Sequence, residues 1–61
     1  MNSKEKLQRL LDECRFDLAK LKADLREARK IGYQDDIEDI RENISTLQDQ
    51  IKDLEKELKR L

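Results

Sequence analysis

From Leu7 to Ala28 the apolar residues return at alternating intervals of four and three: Leu7, Leu11, Cys14, Leu18, Leu21, Leu25 and Ala28. The alternation resumes at Ile37 and runs through Ile40, Ile44, Leu47, Ile51, Leu54, Leu58 and Leu61. A mean interval of about 3.5 residues keeps side chains on one narrow stripe of an α-helix, the a and d positions of a coiled-coil heptad. In the first run Leu11, Leu18 and Leu25 take a, with Leu7, Cys14, Leu21 and Ala28 at d. In the second Ile37, Ile44, Ile51 and Leu58 take a, with Ile40, Leu47, Leu54 and Leu61 at d.

The two frames do not join. Leu25 and Ile37, both a positions, stand twelve residues apart, one heptad plus five. A continuous coiled coil absorbs an insertion of three or four residues, not five. The mismatch falls on Ile31-Gly32-Tyr33-Gln34-Asp35, which holds the only glycine of the chain. Gly32 suits the left-handed residue that follows a helix end, and Tyr33 is expected to fold back on Ala28 as the accompanying apolar contact. Asp35, with Glu38 three residues later, reads as the capping box of a second helix. The pattern therefore predicts a single hairpin over residues 1–61: a helix over about 3–31, a turn at 32–34 and a helix over about 35–61.

A connection this short predicts that the two helices lie antiparallel. The register has an internal test. Mirrored about the Gly32–Tyr33 bond, Ala28 falls opposite Ile37, Leu25 opposite Ile40, Leu21 opposite Ile44 and Leu18 opposite Leu47. Cys14 then faces Ile51, Leu11 faces Leu54 and Leu7 faces Leu58, and only Lys4 opposite Leu61 breaks the apolar rule. Charge agrees with the helix ends. Arg26, Arg29 and Lys30 close the first helix, Asp35, Asp36, Glu38 and Asp39 open the second, and Lys56, Lys59 and Arg60 end it. Each cluster has the sign that the helix dipole favours.

Composition sharpens this picture. Charged residues make up 48% of the 61 and aromatic residues 3%, with no proline, which is the make-up of a long helix or coiled coil. Strict periodicity separates the chain from a disordered one of equal charge. The formal net charge of -1, with both signs interspersed, supplies no general field for nucleic acid or anionic lipid. Cys14 is the only cysteine, so no internal disulfide forms, and the expected setting is reducing and cytoplasmic. No apolar run is long enough for a membrane span or a signal peptide.

The positions off the seam carry the functional expectations. Phe16, the only phenylalanine, falls at f, away from the second helix, with Ala19 and Ala23 further along that side. It is a candidate surface for a second copy or another protein. Leu10 and Ile31, at g, are expected to flank the seam. The e edge carries Arg15, Lys22, Arg29 and Arg41; the g edge carries Asp17, Asp24, Asp36 and Glu57. Within one antiparallel hairpin e meets e, so Lys22 lies near Arg41 and like stands beside like. Between two bodies the basic and acidic edges are complementary, which points to a dimer forming a four-helix bundle, or to a partner hairpin.

Catalytic chemistry has little to stand on. The chain lacks histidine, the commonest general base, and has no glycine-rich phosphate loop and no Cys/His metal spacing. Cys14, expected in the core, is read as a small inert apolar residue. The expectation is a non-enzymatic protein–protein interaction module without cofactor, metal or small-molecule substrate: a small regulator, adaptor or assembly factor. A small RNA-binding helical-hairpin dimer is the alternative. It would use Arg15, Lys22, Arg29 and Arg41, but lacks stacking aromatics. A structural hairpin arm, a fragment of a longer chain, or a design is the third reading. The opening Met-Asn-Ser favours a complete chain, and the many Asp residues speak against an idealised design.

Overall fold

The computed structural model describes residues 2–61. Two α-helices, α1 (Ser3–Ile31) and α2 (Gln34–Arg60), account for nearly all of them, and no strand occurs among the described residues. Straight-chain Leu, Lys, Arg, Gln and Glu, with several alanines and no proline, favour this outcome by intrinsic propensity alone.

A cap that the periodic pattern did not flag starts α1. Asn2 is extended (φ -84°, ψ 167°), and its side-chain oxygen accepts the Glu5 backbone N–H at 2.9 Å. One of the four N–H groups that a helix start leaves unpaired is thereby satisfied. At the other end Gly32 adopts the left-handed conformation (φ 86°, ψ 25°). The Gly32 and Tyr33 N–H groups both donate to the Ala28 carbonyl, at 2.8 and 3.3 Å. A Cβ built on Gly32 would meet nothing within 4 Å, so backbone conformation, not crowding, selects glycine there. Tyr33 thus returns to Ala28 through its backbone, while its ring stays exposed.

The second helix starts earlier than its sequence predicts. Gln34, expected in the turn, is the first helical residue of α2, and Tyr33 takes the cap position in extended conformation (φ -80°, ψ 93°). The Tyr33 carbonyl accepts the Ile37 N–H at 3.0 Å, while its side chain makes no capping bond. Asp35 is therefore inside the first turn rather than at the cap, and the Asp35–Glu38 capping box does not form. The reason is the tightness of the reversal at Gly32, which already aims the next carbonyl along the new helix. Asp35 and Asp36 act instead as first-turn charges on the helix dipole.

The helices pack against each other as a helical hairpin. Its Cα extents are 44 × 16 × 12 Å, and its long axis matches the roughly 44 Å of a 29-residue helix at about 1.5 Å per residue. Leu7, Leu11, Cys14, Leu18, Leu21, Leu25 and Ala28 of α1 are buried or half-buried, as are Ile37, Ile40, Ile44, Leu47, Ile51, Leu54 and Leu58 of α2. The one other described residue that is not exposed is Glu55. Leu61, the last residue on the stripe, is exposed.

How completely the stripe is covered matters more than which residues it contains. Among the described residues only Leu11 (2% exposed) and Ala28 (7%) are buried outright. The solvent-accessible surface is 5002 Å², against about 4,200 Å² for a compact monomer of 7.3 kDa. Two helices in contact along one line shield each other on that side only. The remaining seam residues therefore stay partly open to solvent along the two flanks of the seam.

Candidate interaction surfaces

Two open flanks run along the seam. On the flank carrying the e positions, the Arg15 guanidinium bridges the helices to Glu55, Nη2 to Oε2 at 3.3 Å, with both side chains about half exposed (52% and 45%). This pair corrects the expectation of a uniformly basic edge. Glu55 occupies an e position of α2, and one opposite charge there replaces repulsion with attraction. The heptad frame already contained that signal. Lys22, Arg29 and Arg41 on the same flank are exposed and enter no ion pair.

The opposite flank is acidic. Asp17, Asp24 and Asp36 are exposed and unpaired, whereas Glu57 is bridged by Arg60 of its own helix at 3.0 Å. The chain holds 14 Lys and Arg and 15 Asp and Glu, yet the described residues form only these two ion pairs. Most of the charge is free to meet something else.

Shallow grooves follow each flank. On the acidic side Leu21 and Leu47 form the floor of one, with Asp17, Lys20, Asp24, Asn43, Thr46 and Gln50 around it. Nearer the chain ends, Leu10, Cys14 and Leu54 line a second with Gln50 and Asp53. On the other side Leu18 and Ile51 are framed by Ser45, Gln48, Asp49, Lys52 and Glu55. Two sequence expectations change here. Leu10 and Ile31, expected to flank the seam, are 46% and 56% exposed, because a side chain at g projects past the single partner helix. Cys14, expected inside the core, is half-buried and lines an open groove, since no third element covers it.

Phe16 stands apart from both flanks and is 66% exposed. It is not bare. The Lys20 ammonium lies 5.7 Å from the ring centroid, a cation–π contact across one helical turn worth about 0.5–1 kcal/mol at an exposed site. Arg9, Asp12, Glu13 and Asp17 line a shallow depression beside the ring. Ala19 and Ala23 are exposed, as sequence position implies. The apolar patch is thus one aromatic ring inside a charged collar. At the turn, Gly32, Tyr33, Gln34, Asp35 and Asp36 frame a further shallow depression.

Among the described residues, no group of three or more His, Cys, Asp or Glu side chains is arranged to hold a metal ion. No helix among them is long and apolar enough to cross a membrane. No buried side-chain polar atom there lacks a partner, so none points to a missing ligand. The molecule belongs to the class of two-helix hairpins with an incompletely covered apolar stripe and unlike unpaired charges prevailing on its two flanks. No protein-family model, curated protein or solved structure matches the chain.

Proposed function

We propose that this protein is a non-enzymatic protein–protein interaction module, an antiparallel coiled-coil hairpin that acts as a small regulator, adaptor or assembly factor. One observation carries the reading: of the whole apolar stripe, only Leu11 and Ala28 are buried. Apolar area left in water gives a driving force of roughly 25 cal/mol per Å² for any surface that covers it. A small domain whose own core is thin gains most from such cover. The first partner is a second copy, whose two helices laid on these two make the four of a bundle at each contact. Phe16 and the charged flanks supply contact area and specificity rather than chemistry. The lone Cys14 thiol supports a reducing, cytoplasmic setting.

Sedimentation equilibrium from micromolar to millimolar concentration tests self-association directly. The expected result is a mass above that of one chain, with helicity rising alongside it. A folded monomer over the whole range would remove the second copy as partner. Phe16→Ser separates the ring from the flanks: weaker association with unchanged far-UV circular dichroism assigns Phe16 to the interface, and unchanged affinity removes it.

A further inference from the structure

Resting on the self-association just proposed, we infer that the second copy docks unlike edge to unlike edge, its basic edge with Lys22 and Arg41 laid along the acidic edge of the first with Asp17 and Asp24, and Lys22 beside Asp24. Both halves of this contact are visible on one chain. All four side chains are exposed, and none has an ion-pair partner within its own hairpin. A two-fold symmetric stack would set Asp17 and Asp24 against their own copies, or Lys22 and Arg41 against theirs. Like charges brought together at an interface are strongly disfavoured. The unlike arrangement meets no such penalty and lays the basic edge over the groove floored by Leu21 and Leu47.

The heights along an antiparallel hairpin agree for Lys22 and Asp24. Counted outward from Gly32, Lys22, Arg41 and Asp24 all lie about two to three helical turns from the reversal, and Asp17 about four. A copy displaced sideways, with its turn at the same end, brings Lys22 level with Asp24, while Asp17 stands roughly 10 Å further from the reversal at about 1.5 Å per residue. Such a contact is heterologous. Each added copy leaves one basic and one acidic edge free, so assembly continues past two chains as concentration rises. It weakens with salt, because the pairs sit at an exposed edge.

Two variants that avoid the helix ends test this. Lys22→Gln with Arg41→Gln neutralises the basic edge, and Asp17→Asn with Asp24→Asn the acidic edge. Helicity is checked by circular dichroism, and mass by sedimentation velocity at low salt. The wild-type chain is expected to grow past the dimer, and each variant alone to associate roughly fivefold to tenfold more weakly. Mixed, the variants retain one intact pair of edges and form a one-to-one complex that stops at two chains. A mixture no tighter than either variant, with the wild-type chain still associating, overturns the edge pairing and leaves self-association standing. A wild-type mass that saturates at two chains overturns the unlike geometry. A monomeric wild-type chain sinks both.

Discussion

Replacing Leu11 by alanine removes the largest side chain that the hairpin buries outright, at 2% exposure. Loss of about three buried carbon groups costs roughly 2.4 kcal/mol in transfer free energy at about 0.8 kcal/mol each. A sealed core would add a cavity penalty and bring the total to roughly 3–5 kcal/mol. Here the seam is open on both flanks, so neighbouring side chains and water refill the space, and a total of about 2–3 kcal/mol is expected. A chain of 61 residues has about 3–9 kcal/mol of stability to lose, at roughly 0.05–0.15 kcal/mol per residue. Leu11→Ala therefore removes at least about a fifth of it, and most of it if the total lies at the low end. Urea titration followed by circular dichroism at 222 nm measures the change, at one fixed protein concentration because association is linked to folding. Leu61→Ala is the control, since Leu61 is exposed and its loss is expected to cost under about 0.5 kcal/mol. If the two substitutions cost the same, or Leu11→Ala costs less than about 1 kcal/mol, the burial pattern is wrong.

Four further substitutions probe the helix ends and the bridging ion pair. Gly32→Ala places a side chain in the left-handed region at φ 86°, at a cost of about 1–2 kcal/mol, offset by about 0.4–1 kcal/mol from a stiffer unfolded chain; a higher urea midpoint would contradict the strain. Asn2→Ala deletes the 2.9 Å cap on the Glu5 N–H and is expected to cost about 1 kcal/mol, with hydrogen exchange quickening first in the opening turn of α1. If protection there is unchanged, the cap is not formed in solution. A double-mutant cycle on Arg15→Ala and Glu55→Ala should return a coupling of about 0.2–1 kcal/mol that fades in high salt. A larger, salt-insensitive coupling would mean that the pair is buried in an assembly.

The all-helical hairpin was legible in the chain because its signals are local. Intervals of four and three between Leu7 and Ala28, and again from Ile37 to Leu58, describe a helix face whatever lies opposite. Gly32 marks the reversal because a left-handed backbone is a property of that one residue. Errors crowd where two local signals compete or where contact is distant. Asp35 looked like the better cap by side chain, yet the geometry following Gly32 made Tyr33 the cap and left Asp35 in the first turn.

The tertiary structure decided degree rather than kind. A heptad position says which way Leu11 and Leu18 face, but not that one is buried and the other half-open; that depends on how many neighbours close over each. A single partner helix covers only part of any side chain, so Cys14 was left half-buried instead of in a core, and Leu10 and Ile31 largely exposed at the flank. Arg15 and Glu55 stand forty residues apart, and their pairing required both helices to be in place. Sequence alone determined the face of each helix and the site of the turn, since both follow from backbone geometry and local residue type. Exposure and charge pairing waited for the tertiary structure, because both are set by distances across the hairpin.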